Sequence, residues 1–325
     1  DWRAADDSRW YDAHLLREQR RAMVRLREAG RAPELAELLT QSLYRNLADV
    51  QAPALYEQAL SGTKRLVVAY LEEAERALLW LAAIPDLPPE TRLARFSQSS
   101  RVFGRSALML SGGATLGFYH LGVIKALLEE DLLPYVLSGA STGAMIAAGV
   151  CARNDAELHA LYADREQLRR DGLGWAGLRK WLRTGAAMEP EQLFDVLRHN
   201  IGDRTFAEAY AHSGRVLNIS ISPTRVRQKP RLLTHITSPD VLVASAALAS
   251  SALPGLFPPV VLARRGRDGR EAPYVPTERW VDGSVNGDLP KLRLSRLHNV
   301  NHFIVSQTNP HALPFARVLA RLGAV

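Results

Sequence analysis

The stretch Gly139-Ala140-Ser141-Thr142-Gly143 follows an apolar run at residues 135–137 and opens a second run of small and apolar residues. A strand, a tight turn and a helix in this order predict a nucleophile elbow, in which a serine sits on a strained backbone and projects its hydroxyl outward. The glycines at 139 and 143 allow the strand and the helix to pack closely. Gly-x-Ser-x-Gly alone also occurs by chance, but this context favours a serine hydrolase with Ser141 as the nucleophile.

A second glycine-rich turn lies upstream, where the apolar residues 107–110 run into Gly112, Gly113 and Ala114. Residues without bulky side chains let backbone N–H groups point into a cavity at a helix N-terminus, where aligned dipoles favour negative charge. We therefore predict that these three residues form an oxyanion hole. The alternatives are a phosphate-binding loop or a plain turn, but a Walker-type loop requires Gly-Lys-Ser/Thr at its end and residues 116–118 lack it.

A third motif, Trp280-Val281-Asp282-Gly283-Ser284, places an aspartate between a short apolar entry and a glycine turn. A serine hydroxyl becomes a good nucleophile when a base takes its proton, and that base is either a histidine oriented by an acid or a carboxylate that acts directly. His298, His302 and His311 all follow Asp282, in the Ser–Asp–His order of α/β-hydrolases. Residue order leaves both kinds of base open.

Taken together, these motifs resemble the patatin-like lipid acyl hydrolases, a family that uses a Ser–Asp dyad without histidine. The resemblance implies that Ser141 is the nucleophile, that Asp282 is the dyad aspartate, and that neither a metal nor another cofactor is needed. It argues against the three histidines as bases. The glycine loop departs from the common family pattern, because Ser111 stands where an aspartate is frequent, Ala114 where a third glycine is usual, and Leu116 where a basic residue is common.

These departures, together with residues 118–123, resemble the patatin branch of triacylglycerol lipases from fungal lipid droplets and plant oil bodies. The likeness spans roughly residues 40–317 and is also carried by residues 44–47 and 62–66, which resemble the helical domain of unknown function that precedes patatin in these lipases, and by residues 205–210, 215–219, 249–259 and 301–311. It favours a triacylglycerol lipase. A phospholipase A or lysophospholipase, and a non-catalytic lipid-surface protein, are the alternatives.

The arrangement of apolar and turn-forming residues predicts an α/β protein with a largely parallel central sheet, plus a smaller N-terminal helical domain. The resemblance implies that the larger domain has the patatin-like three-layer fold. The predicted domains are residues 1–101 and 102–325, the second truncated at the C-terminus. Helices are expected near 9–30, 34–49, 53–83, 90–101, 116–130, 142–153, 155–168, 190–200 and 240–250, and strands near 107–110, 135–138, 216–221, 231–236 and 302–306. In the first helix an apolar stripe faces several arginines, and either packing or a lipid interface explains it.

The charge balance, 41 basic against 34 acidic residues and a net charge of +7, favours anionic surfaces. Basic residues cluster at 225–231 and 264–267, and these clusters are either solvated loops or contacts to an anionic membrane. No nucleic-acid-reading module accompanies the charge, so we expect no nucleic-acid partner. The resemblance implies a lipid substrate and a membrane or lipid-droplet surface, with the protein peripheral and intracellular.

Two uncharged runs, residues 132–152 and 241–263, are long enough to raise the question of a membrane span. The first holds the elbow and Pro134, and the second holds three prolines that interrupt a helix. We expect both runs to form buried core, because strands covered on both faces are continuously apolar. The single cysteine, Cys151, lies in the first run and is expected to pack as a small hydrophobic residue.

Overall fold

The computed structural model describes residue 6 and residues 9–57, 62–85, 87–163, 190–225, 227–255 and 257–308. The chain divides into two compact units after Gly104, whereas the sequence predicts a boundary after residue 101. At Gly104 the backbone φ is 75°, a conformation that glycine adopts without steric cost and that ends the preceding helix.

The N-terminal unit is helical, as the sequence predicts. The apolar stripe of its first helix is covered within the unit, because Leu16 and Met23 are almost fully buried in a core that also contains Leu35 and Val67. The stripe therefore packs against neighbouring helices. The helices are α1 (Ala13–Glu28), α2 (Ala32–Ser42), α3 (Ala54–Glu57), α4 (Arg65–Ala83) and α5 (Pro89–Phe103).

Two predicted helices of this unit are shorter than expected. The helix predicted at 34–49 ends at Ser42 and is followed by a 3-10 turn, Leu47–Asp49. The helix predicted at 53–83 is divided into α3 and α4, and Gly62 just before α4 has a φ of 78° that is incompatible with a continuous helix. In both segments the apolar residues continue through the turn, so the sequence pattern does not show where the helix ends.

The C-terminal unit alternates strands and helices around one sheet. Its strands are β1 (Arg105–Leu110), β2 (Val136–Gly139), β3 (Val216–Pro223), β4 (Arg231–Leu233), β5 (Ala263–Arg265), β6 (Glu271–Pro273), β7 (Trp280–Asp282) and β8 (Val300–Ser306). Its helices are α6 (Tyr119–Glu129), preceded by a 3-10 turn at Ala114–Phe118, α7 (Thr142–Cys151), α8 (Asp155–Ala163), α9 (Pro190–Ile201), α10 (Phe206–Ser213), α11 (Val243–Ser250), α12 (Ser284–Gly287) and α13 (Lys291–His298).

The main sheet has the strand order β4-β3-β2-β1-β8, and its three central pairs, β3–β2, β2–β1 and β1–β8, are parallel. This confirms the predicted α/β fold with a largely parallel sheet. Strands β4 and β7 pair with β3 in the antiparallel sense. Parallel strands present their carboxyl ends at one edge, and the glycine loop and the elbow both follow such ends.

Most described residues of the two long uncharged runs are buried, as predicted, although Leu132, Tyr135 and residues 254–255 and 258–259 are exposed. Every described residue of α11 is buried, and in α7 all but Gly149 are. These helices can be apolar on all faces because they lie in the main core with the strand residues Leu108, Leu137 and Ile219. Of the helices in the described ranges, none combines the length and the apolar character that a bilayer crossing requires.

Five features of this unit were not expected from the sequence. They are α10, the β5–β6 hairpin, β7 as a paired strand, the short helix α12, and α13. Helix α10 carries a capping box in which Thr205 and Glu208 satisfy each other's backbone N–H groups, a signal readable in the sequence. The three-residue strands are too short for an alternating pattern, and α13 is mostly polar. The helix predicted at 240–250 begins at Val243, since residues 241 and 242 form β-bridges.

Candidate active site

The predicted elbow has the backbone that a nucleophile turn requires. Ser141 directly precedes α7 with a φ of 53° and a ψ of −127°, a strained conformation for a residue with a side chain. The flanking glycines are sterically necessary. A Cβ atom on Gly139 would lie 2.3 Å from the carbonyl oxygen of Gly143, and one on Gly143 would lie 2.3 Å from that of Leu110. The end of β1, the end of β2 and the start of α7 therefore approach one another so closely that no side chain fits between their backbones.

Ser250, which the sequence did not single out as a site residue, anchors the elbow through hydrogen bonds of its side chain. Its Oγ accepts a hydrogen bond from the backbone N–H of Ser141 at 3.0 Å and donates one to the carbonyl oxygen of Ser220 at 2.7 Å. All three serines are buried. Ser141 is therefore connected to α11 and β3 by these hydrogen bonds, and no local sequence pattern around Ser250 predicts the contact.

Sheet register places Asp282 beside the elbow. Ile219 of β3 pairs with Gly139 of β2 on one side and with β4 on the other, whereas two residues later Ile221 pairs with Asp282 and with β4. Strand β7 therefore continues the β2 edge of β3 beyond the point where β2 ends. Gly283 permits this approach, because a Cβ atom there would lie 2.0 Å from the carbonyl oxygen of Ser220.

The carboxylate of Asp282 is fully buried and only half satisfied. Its Oδ1 accepts a hydrogen bond from the backbone N–H of Ser284 at 2.8 Å, while Oδ2 has no hydrogen-bond partner among the described residues. Burial raises the pKa of Asp282 above its ordinary value, and the Ser284 N–H and the hydroxyls of Ser284 and Ser141 partly oppose that rise. The Ser141 hydroxyl thus faces a carboxylate whose basicity is increased by its surroundings.

The glycine loop lies against Ser141. A Cβ atom on Gly112 would lie 3.3 Å from the Cβ of Ser141 and 3.2 Å from that of Ser284, and one on Gly113 would lie 2.3 Å from Oγ1 of Thr308. The N–H of Gly112 donates to Oδ1 of Asp288 at 2.9 Å. No described residue accepts from the N–H groups of Gly113 and Ala114.

Three polar side chains from α6 and the end of β8, together with Ser111 beside Gly112, hold this loop in place. Nε2 of His120 lies 2.9 Å from the carbonyl oxygen of Ser111, and Nδ1 lies 2.7 Å from Oγ of Ser306, so the neutral ring carries its proton on Nε2. The backbone N–H of Thr308 donates to Ser111 Oγ, and both hydroxyls of that pair donate to the carbonyl oxygen of Gly112. Burial lowers the pKa of His120, consistent with a neutral ring in a structural role.

The other histidines lie elsewhere in the unit. His298 is buried, with Nε2 at 2.8 Å from Oδ1 of Asn218, and burial lowers its pKa to about 4. His302 pairs with Ser106 near the amino-terminal end of β1, whereas the glycine loop follows the carboxyl end of the same strand. His311, the third predicted alternative, lies outside the described residues. Within the described ranges no group of three His, Cys, Asp or Glu side chains is arranged to hold a metal ion.

Two of the predicted basic surface residues are paired with acids. Arg225 lies 3.7 Å from Glu278, and Arg265 lies 3.3 Å from Glu208. Arg227 and Arg264 are exposed and form no ion pair with a described residue. Among the apolar residues next to the glycine loop and the elbow, Met109, Leu110, Met145 and Ile146 are buried in the core and Leu116 is exposed.

Comparison with known proteins adds family relationships to this geometry. The family described as patatin-like phospholipase matches residues 108–291, and one described as a domain of unknown function, DUF3336, matches residues 1–101. A patatin-like phospholipase domain-containing protein of Aspergillus clavatus is 38% identical over 95% of this chain and 46% of its own length. Similarly named proteins of Chaetomium globosum and Yarrowia lipolytica are 39% and 36% identical, over 95% and 97% of this chain and 38% and 39% of their own lengths. The chain thus spans less than half of these relatives.

Two solved structures are also similar. VipD from Legionella pneumophila is 15% identical, covers 68% of this chain and 53% of its own, and has a TM-score of 0.37. The type III effector ExoU is 21% identical, covers 68% and 52%, and has a TM-score of 0.31. TM-scores of this size carry no argument about chemistry.

Proposed function

The chain belongs to the patatin-like phospholipase family, and on that premise we propose that it is a serine lipid acyl hydrolase with a Ser141–Asp282 dyad. The observation that carries this proposal is the register of β7, which delivers a buried, half-satisfied carboxylate to a serine on a strained turn. Asp282 accepts the Ser141 hydroxyl proton as the serine oxygen attacks an ester carbonyl. An acyl-enzyme forms, and the protonated aspartate gives its proton to the leaving alcohol.

Water then hydrolyses the acyl-enzyme with Asp282 again as the base. The negative charge that develops on the carbonyl oxygen in each half-reaction is stabilised by backbone N–H groups of the glycine loop. The loop suits this task because its peptide groups are fixed before the reaction by Ser111, His120 and Thr308. Preorganised donors need no reorganisation at the transition state.

For the substrate we propose a triacylglycerol. The resemblance to the lipase branch supports it, as does Leu116, an exposed apolar side chain just after the glycine loop where family members commonly carry a basic residue. A phospholipase A or lysophospholipase activity is the second candidate, favoured by the family description, by the names of the relatives and by the exposed Arg227 and Arg264. In either case the protein acts at the surface of a membrane or lipid droplet inside the cell.

Hydrolysis of matched triacylglycerol, phospholipid and lysophospholipid substrates by the purified protein tests this proposal. We expect fatty-acid release to be fastest from triacylglycerol and absent in a folded Ser141→Ala variant. Faster release from phospholipid would replace the first candidate with the second. Equal release by the Ser141→Ala variant would remove the proposed nucleophile.

A further inference from the structure

Asp288 is an acidic residue that the dyad chemistry does not use and that lies against the glycine loop. It follows Asp282 by six residues, beyond the short helix α12, so the turn that delivers the dyad aspartate also delivers Asp288. Its Oδ1 accepts the Gly112 N–H at 2.9 Å. The side chain is half-buried, and burial together with the negative charge of Asp282 raises the pKa of Asp288 to about 6, against the opposing effect of the Gly112 N–H.

Hydrogen bonds fix the orientation of two consecutive peptide groups in the glycine loop. In a trans peptide the C=O and the N–H point in opposite directions, so fixing either one fixes the other. The Ser111–Gly112 peptide is held at both ends, at its oxygen by His120 and at its N–H by Asp288. The next peptide is held at the Gly112 oxygen by the hydroxyls of Ser111 and Thr308, which turns the Gly113 N–H away from them.

We propose that Asp288 is a positioning residue that fixes Gly112 through its N–H, and that oxyanion binding in the proposed reaction therefore belongs to the N–H groups of Gly113 and Ala114. This inference rests on the proposed function and narrows the predicted donor set of three to two. The Gly112 N–H serves the architecture of the loop and is not directed at the substrate. Little space is left between Gly112 and its neighbours, because an added Cβ atom would lie 3.3 Å from the Cβ of Ser141 and 3.2 Å from that of Ser284. Rotation of the Gly112 peptide therefore displaces the donors that follow.

Two substitutions separate this role from a general structural one. Asp288→Asn keeps an oxygen that accepts from Gly112 and removes the charge, whereas Asp288→Leu has a similar size and no acceptor. With a soluble short-chain ester at pH 8, we expect Asp288→Leu to lower kcat by about tenfold or more and to change KM by less than about threefold, because misplaced oxyanion donors are felt in the transition state. The conservative Asn replacement restores kcat to within about threefold of the parent, and both variants keep the parental circular dichroism.

Amide hydrogen exchange of the segment that contains Gly112 gives a readout independent of catalysis. We expect the amide to exchange faster in Asp288→Leu than in the parent and in Asp288→Asn. Parental kcat and parental protection in the Leu variant would overturn the inference, and so would an Asn variant as impaired as Leu. A parent protein without esterase activity would instead remove the proposed function, while the exchange data would still decide whether Asp288 holds Gly112.

Discussion

At the scale of single residues, the site concentrates features that cost stability elsewhere in a protein. Ser141 has a positive φ, and Asp282 is a buried carboxylate with one unsatisfied oxygen. Strained backbones and desolvated charges persist where the surrounding structure fixes them, and they are typical of reactive positions. We therefore expect that removing either feature raises the stability of the protein and lowers its activity.

The substitution Asp282→Asn should raise the melting temperature at pH 7. A carboxyl group whose folded-state pKa is raised stabilises the protein below its unfolded-state pKa, and this contribution is lost as the pH rises through the folded-state pKa. The parent loses this stabilisation as the pH rises from acid towards neutral, and the uncharged amide does not. Each kcal/mol corresponds to roughly 2–4 °C in a domain of this size. Calorimetry at pH 7 and below pH 4 checks this, because the difference in melting temperature between the variant and the parent must become smaller in acid. A variant that melts at a lower temperature than the parent at pH 7 would contradict the prediction.

The pH profile of ester hydrolysis should show an acid limb above the ordinary aspartate value of 3.8, since Asp282 acts only when ionised and burial raises its pKa. Measurement of kcat/KM between pH 4 and 9 checks this, and a profile that is still flat at pH 4 would be the wrong result.

At the scale of elements, the sequence was most informative where backbones approach closely. Gly139 and Gly143 are predicted from the elbow motif, and each meets a carbonyl oxygen that excludes any side chain. Strand β7 and helix α13 were missed for a physical reason: a strand of three residues has no alternation, and its pairing with β3 is set by residues about 60 positions away. Neither element has a periodic sequence pattern of its own, because contacts with residues distant in the chain determine its structure.

Two glycines of α7 provide a matched pair of substitutions. Gly143→Ala should destabilise the protein by about 1–3 kcal/mol or more, because its Cβ would lie 2.3 Å from a backbone oxygen of Leu110. Gly149→Ala meets only Arg153 at 3.8 Å and should be neutral or stabilising by up to about 1 kcal/mol, since alanine favours the helix. Urea unfolding of the two variants measures this difference. Equal destabilisation by the two substitutions would show that the close backbone approach at Gly143 does not set the cost of adding a side chain there.

At the scale of the whole molecule, the fold brings together what the sequence separates. Ser141 and Asp282 were predicted from motifs, and the structure places both at the carboxyl edge of the sheet. Ser250, Asp288 and Thr308 were not singled out, because their roles arise from single hydrogen bonds spanning 109, 176 and 197 residues, respectively. Such contacts leave no local pattern in the sequence.

The surface charge gives a prediction about binding to lipid. Arg227→Ala combined with Arg264→Ala should weaken binding to anionic vesicles and leave soluble-ester hydrolysis unchanged, because these two exposed arginines have no acidic partner among the described residues. Arg21→Ala combined with Arg25→Ala on the exposed side of α1 removes the same charge elsewhere and serves as the control. Vesicle sedimentation at low and high salt measures the effect, which salt must screen. Equal losses in both pairs would mean that net charge alone acts.

The most direct test of the dyad is the rate of soluble-ester hydrolysis by Asp282→Asn beside His298→Gln, His302→Gln and His311→Gln, each checked for folding. A side-chain amide cannot take the serine proton, so we expect Asp282→Asn to lose several orders of magnitude in kcat, as members of a catalytic unit do. Each histidine variant should stay within about tenfold of the parent. A loss of several orders of magnitude in one well-folded histidine variant, or near-parental activity in Asp282→Asn, would contradict the Ser141–Asp282 dyad.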